Sequence, residues 1–129
     1  MVVGLGTDLI EVERVRASLE RFGERFLGRV FTERERSYCA AKRHPEQSLA
    51  ARFAAKEAGA KALGTGISRG VGWQDFEVWR QPGQPPRLLL HGRAEELGSA
   101  LRIAHSSLSL THTDHYAMAI VIFETEQPR

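Results

Sequence analysis

Four groups of residues carry types and spacings that can do chemistry. Asp8 is a carboxylate near the end of an apolar, glycine-rich strand-like stretch, Val2 to Ile10. Asp is favoured as a helix N-cap, so it can open a helix beginning near Leu9; it can equally serve as a metal ligand or catalytic acid. Glu57 and Lys61 stand four apart and share a helix face with Phe53. On an exposed helix such a pair contributes only about 0.2–0.5 kcal/mol. Here it sits among alanines, where charge lies partly inside and needs a further partner: a metal, a phosphate or another carboxylate. The third group, Gly64-Thr65-Gly66-Ile67-Ser68-Arg69-Gly70, has Arg69 where a dinucleotide fingerprint has its last glycine. It closes a helix rather than opening one, so the local dipole is negative and phosphate held there needs cations or a metal. The fourth is Ser109-Leu110-Thr111-His112-Thr113-Asp114-His115. It reads as a hairpin turn with surface histidines or as a His-and-hydroxyl grip on an anion; no zinc-type spacing and no G-x-S-x-G supports other chemistry.

The elements that must position these residues follow from periodicity. Val3, Leu5, Thr7 and Leu9 alternate with Gly4, Gly6 and Asp8, and the bare glycine face invites another backbone to approach closely. Residues 11–21 turn helical, and an apolar-rich segment runs from Phe22 to Phe31. Thr32-Glu33-Arg34-Glu35 has the form of a capping box and opens a helix to about Lys42. The longest helix spans Glu46–Leu63; its seven alanines and Gly59 suit burial among close neighbours. Strands follow at Trp73–Trp79 and Arg87–His91 about the turn Gln81–Pro86, then a short helix over 93–101. A closing hairpin, Ile103–Thr111 and Tyr116–Glu124, turns about Thr113-Asp114. The class is α+β, in one domain over 1–129.

Eighteen Lys and Arg against sixteen Asp and Glu give a formal charge of +2, which speaks against nucleic acid as partner. Fifteen of the cations are Arg, leaving Lys42, Lys56 and Lys61 as the lysines. The single cysteine, Cys39, is expected to be a neutral thiol. No apolar run is long enough to span a bilayer and the start lacks a basic signal-peptide region, so a cytoplasmic location is expected.

In order, Gly4-Leu5-Gly6-Thr7-Asp8-Leu9, Arg52-Phe53-Ala54-Ala55-Lys56-Glu57-Ala58, Lys61-Ala62-Leu63-Gly64-Thr65-Gly66 and Ser109-Leu110-Thr111-His112-Thr113 resemble the holo-[acyl-carrier-protein] synthases. These are the small bacterial 4′-phosphopantetheinyl transferases of fatty-acid biosynthesis. Asp75-Phe76-Glu77-Val78 and Gly83-Gln84-Pro85 also fall where that family has a strand and a turn, and the likeness runs from about residue 2 to 124. Gly59 and Pro86 depart from the pattern. The resemblance implies an antiparallel sheet packed around the long small-residue-rich helix, and a homotrimer with active sites between subunits. It implies transfer of phosphopantetheine from coenzyme A to a serine of apo-acyl carrier protein, releasing adenosine 3′,5′-bisphosphate.

By motif match, Asp8 and Glu57 would bind Mg2+ and Lys61 would stabilise or protonate the leaving phosphate. Glu57 and a metal-linked water stand as alternative bases. Arg52, Lys61, Gly64, His112 and Thr113 match positions that line the coenzyme site. Arg14, Arg21 and Arg25 recur at spacings of seven and four with Phe22 and Phe26 interleaved. Their stretch also holds four glutamates and reads alone as a solvated face; in this family an Arg-plus-Phe face resembles the docking surface for an acidic carrier protein. Two rivals remain: a metal-dependent phosphodiester or nucleotide hydrolase, and a non-catalytic module that holds an acidic protein.

Overall fold

The glycine alternation at the start does what its bare face suggests. In the computed structural model, which describes residues 1–126, β1 (Val2–Glu11) lies against α4 (Pro45–Leu63). The last three residues of the expected 1–129 domain lie outside the described range. A Cβ on Gly4 would run into the carbonyl oxygen of Ala62, and one on Gly6 into that of Ala58. Backbone therefore meets backbone, and nothing larger than glycine fits at these two positions.

β1 pairs antiparallel with β5 (Tyr116–Glu124), which pairs with β4 (His105–His112), giving the order β1-β5-β4. The register sets Asp8 beside Ala119 and Gly6 beside Val121, on the face toward α4. Leu5, Thr7 and Leu9 stand beside Ile122, Ile120 and Met118 on the opposite face. A second antiparallel pair, β2 (Phe76–Trp79) and β3 (Arg87–Leu90), packs on another side of α4. Gly59 makes that approach possible, since a Cβ there would lie 2.9 Å from the Phe76 ring. The departure from the family pattern is thus a packing contact.

Between β1 and α4 run α1 (Val12–Phe22), α2 (Glu24–Val30) and α3 (Glu33–Ala40); α5 (Gly92–Ala100) follows β3. The capping box at α3 forms as expected: Thr32 Oγ1 accepts from Glu35 N, and Glu35 Oε1 accepts from Thr32 N. α4 ends on Gly64 in the left-handed conformation, φ 91°. The core is built around α4 and includes Ala54, Ala55, Ala58, Phe76, Val121 and Phe123.

Three expectations change. Asp8 does not cap a helix: β1 continues to Glu11, which precedes α1 without a side-chain cap. Gly23, with φ 53°, ends α1 and places Arg25 on the separate helix α2, so the three arginines do not share one helix. Trp73–Asp75 forms a 3-10 turn instead of the start of β2.

Candidate functional site

Asp8 comes from the β1 edge that touches α4, and Glu57 and Lys61 come from that helix. Lys61 Nζ donates to Asp8 Oδ1 at 3.1 Å and to the Thr7 carbonyl at 3.0 Å. Asp8 is largely enclosed while Lys61 is exposed, so the ammonium covers the acid from the solvent side. No bond joins Lys61 to its helical neighbour Glu57, although their spacing allows one; the lysine turns to the strand instead. Burial first, and then the Asp8 charge, push the Glu57 carboxyl above its ordinary value, against the pull of Lys61 and Arg14. Two carboxylates therefore share a partly dry corner with only an exposed ammonium on one of them.

That donor set suits a hard divalent cation. Mg2+ takes oxygen ligands, keeps several waters and completes its shell from substrate phosphates, so two carboxylates suffice. No group of three or more His, Cys, Asp or Glu capable of enclosing a metal occurs among the described residues. A closed zinc-type site is therefore not the chemistry of this corner.

A second constellation lies toward the other end of α4. Arg52 and His112 line one cavity of about 390 Å3 together with Lys42, Arg43, His44 and Arg80, and no carboxylate lines it. Arg52 is 4% exposed and stacks over the Tyr38 ring at 4.1 Å. Its Nη1 donates to Ser48 Oγ at 3.0 Å, while its buried Nε has no partner. Burial alone would raise the Tyr38 hydroxyl, yet Lys42 and Arg52 bring it below its ordinary value. An enclosed concentration of positive charge with a spare donor is built to receive an anion. The cationic run Lys42-Arg43-His44 before Pro45 was a legible signal for this cavity; Arg80, from the β2–β3 turn, was not.

The coenzyme-site residues matched by motif thus fall into two groups. Gly64 caps the helix end next to Lys61, whereas Arg52 lies 12 residues earlier, about 18 Å away at 1.5 Å per residue. Thr113 is in the β4–β5 turn, where its Oγ1 accepts from His115 N and Tyr116 N. Gln47 Nε2 donates to Asp114 Oδ1 at 3.3 Å, tying that turn to the start of α4.

Phe22 and Arg25 meet at a third cavity, of about 410 Å3, with Ser18, Phe26, Arg29, Val30, Phe53 and Trp73. Its floor is a chain of rings, with Phe26 6.4 Å from Phe53 and Phe53 4.7 Å from Trp73. Arg21 stays outside, over the Phe22 ring, and Arg14 lies near enough to Glu57 to act on its carboxyl. Trp73 and Phe53 carry no sequence signal for this surface; they reach it from the 3-10 turn and from α4.

The chain matches the 4′-phosphopantetheinyl transferase superfamily over residues 4–121. It is 48% identical over 124 residues to a holo-[acyl-carrier-protein] synthase of Koribacter versatilis, covering 96% of this chain and 99% of that one. Among solved structures, the Neisseria meningitidis holo-[acyl-carrier-protein] synthase superposes with a TM-score of 0.87 at 32% identity, covering 97% of this chain and all of the other. A Bacillus anthracis holo-(acyl-carrier-protein) synthase in complex with CoA (3′,5′-ADP) superposes with a TM-score of 0.80 at 33% identity, covering 98% and 99%.

Proposed function

The chain belongs to the 4′-phosphopantetheinyl transferase superfamily and is an enzyme of that class, and on that premise we propose how it performs the transfer. The substrates are coenzyme A and an apo-acyl carrier protein, and the whole chain acts as one domain. The serine hydroxyl of the carrier attacks the phosphorus next to the pantetheine arm. The P–O bond to the other phosphate breaks, and adenosine 3′,5′-bisphosphate leaves with the bonding electrons. The observation that carries this reading is the meeting of Asp8, Glu57 and Lys61 across the β1–α4 contact.

Asp8 and Glu57 would hold Mg2+, which when bound neutralises charge gathering on the pyrophosphate. Lys61 can release Asp8 when a cation arrives and turn its ammonium, a compact and mobile charge, to the leaving phosphate. Glu57 and a metal-linked water are the two acceptors within this reading for the serine proton. The Arg52–His112 cavity supplies permanent positive charge for the phosphates of coenzyme A. Arg25 and Arg29 around an aromatic floor suit an acidic carrier helix that presents an apolar side chain.

We further propose a homotrimer in which active sites form between subunits. The support is the outer face of the sheet: Leu5 is 65% and Leu9 64% exposed, with Val2, Val3 and Tyr116 also open. Contiguous exposed apolar surface of this kind marks an interface. One copy's Asp8, Glu57 and Lys61 would then meet the next copy's Arg52 and His112. Use of coenzyme A, with no helix among the described residues long and apolar enough to cross a membrane, supports a cytoplasmic location.

Incubation with coenzyme A, Mg2+ and apo-carrier protein should add one phosphopantetheine mass to the carrier, and Asp8→Ala should abolish the addition while leaving the circular dichroism unchanged. Release of nucleotide without mass gain would make the enzyme a hydrolase; undiminished transfer by Asp8→Ala would remove the carboxylate assignment.

A further inference from the structure

Lys56, the residue before Glu57, enters none of this chemistry, yet its side chain has no exposure at all. Its ammonium donates to Glu35 Oε1 at 2.6 Å, to the Phe76 carbonyl at 2.5 Å and to the Trp73 carbonyl at 3.3 Å. Three protons meet three acceptors. The facing carboxylate is equally committed: Glu35 Oε1 also accepts from Thr32 N at 3.0 Å, and Oε2 from Val78 N at 2.9 Å. A single enclosed ion pair therefore joins α3, α4, the 3-10 turn and β2.

Stability alone does not account for such a pair. The cost of drying two charges roughly cancels their attraction, and a packed apolar pair of the same volume commonly does as well. Direction is what the ions add, and α4 is the element that needs it. The helix is buried on nearly every side, mostly through alanine and glycine with few large side chains such as Leu49, Arg52 and Leu63, so bonds of fixed direction add to what seats it in one orientation. Its contact with β1 is backbone on backbone, which fixes separation more than rotation. A turn of about 20° would carry a side-chain tip about 2 Å around a cylinder of about 5–6 Å radius, the helix with its side chains. Misplacement by about 1 Å can cost on the order of 10²-fold in rate.

We propose that Lys56 is a positioning residue for the transfer: its three hydrogen bonds fix the rotation of α4 and so aim Glu57 at Asp8. The inference rests on the reading of Asp8 and Glu57 as the metal-binding pair. Lys56 touches neither substrate nor metal and acts through the backbone it shares with Glu57.

The test measures Mn2+ binding in the presence of coenzyme A by electron paramagnetic resonance, alongside kcat and the carrier KM, at a temperature where each variant is fully folded. Lys56→Met would leave Glu35 buried without its cation, so Lys56→Met/Glu35→Gln removes both charges together. Lys56→Arg keeps the charge and loses the three-point geometry. Leu97→Ala weakens the core at α5, outside the Lys56 hydrogen bonds, and serves as the stability control. The double variant and Lys56→Arg should each lose at least about tenfold in Mn2+ affinity and in kcat, with the carrier KM within about twofold. Leu97→Ala should keep wild-type values. Wild-type Mn2+ affinity in either folded Lys56 variant, or an equal loss in Leu97→Ala, overturns the inference. Glu57→Gln is measured in parallel: if it still binds Mn2+ normally, the metal-pair reading itself fails and takes the inference with it.

Discussion

Glu57 is a carboxyl held where ionisation is disfavoured, half-buried and beside Asp8. Because its folded value lies above its ordinary 4.5, the native state binds more protons than the unfolded chain as the pH rises past that point. Ionising it therefore costs stability at neutral pH. Glu57→Gln should melt higher than the wild type at pH 7–8 without ligands, while turnover falls by about 10²–10⁴-fold. The extra rise in melting temperature that Mg2+ adds over coenzyme A alone should appear in the wild type and not in the variant; a variant that melts lower than wild type would contradict this account of the site. Glu77 behaves in the opposite sense. Burial would raise it, but hydrogen bonds from Arg34, Thr32 and His91 bring it down to about 2. Its stabilising share is present above about 4.5 and is lost as the pH falls toward about 2. Glu77→Gln should lower the melting temperature at pH 7 and flatten its fall between pH 5 and pH 2, read by thermal circular dichroism.

At the scale of elements, the site depends on how closely β1 and α4 approach. Gly6→Ala places a methyl group against the Ala58 carbonyl, which is backbone and cannot swing aside. The strand must move off the helix, carrying Asp8 away from Lys61, and the overpacking costs about 3 kcal/mol. Transfer should fall below a tenth of wild type even where the variant is folded; near-normal activity would show that this contact does not set the metal corner. The glycine alternation made the contact legible from sequence, as the alanines of 46–63 made the buried helix legible. The hairpin about Thr113-Asp114 was also readable, because both strands carry a clear apolar pattern and the turn residues fall between them. Other features had no local signal. Gly23 lies in a charged, helix-compatible stretch, so the break there depends on a left-handed backbone that composition does not announce. Lys56 looked like an ordinary helix lysine, since its partners Glu35, Trp73 and Phe76 lie 17 to 21 residues away. The Arg52 cavity announces itself only in part, through Lys42-Arg43-His44; Arg80 from the β2–β3 turn and His112 from β4 join it only on folding.

For the whole molecule, the arrangement of charge raises a problem that a second copy solves. On α4 Glu57 follows Arg52 by five residues, about 140° around the helix, so the acidic corner and the cationic cavity face different directions, yet coenzyme A has to meet both on the proposed reading. The exposed leucines of β1 offer the surface through which copies could associate. Leu5→Lys/Leu9→Lys should leave the fold intact, since neither side chain is in the core, and should yield a monomer by sedimentation with transfer lost. Co-expression of two inactive chains then decides whether sites are shared. Glu57→Gln lacks the acid and Arg52→Ala lacks the cation, so in a ring of mixed subunits some interfaces pair an intact Glu57 with an intact Arg52. With random assembly that is about one interface in four, so the mixture should recover roughly a quarter of wild-type activity. Sites built within single chains would recover nothing, because every chain in the mixture carries one defect. Dissociating the mixed ring with the Leu5→Lys/Leu9→Lys changes should abolish the recovered activity, which ties it to the sheet face and not to exchange of substrate between separate enzymes.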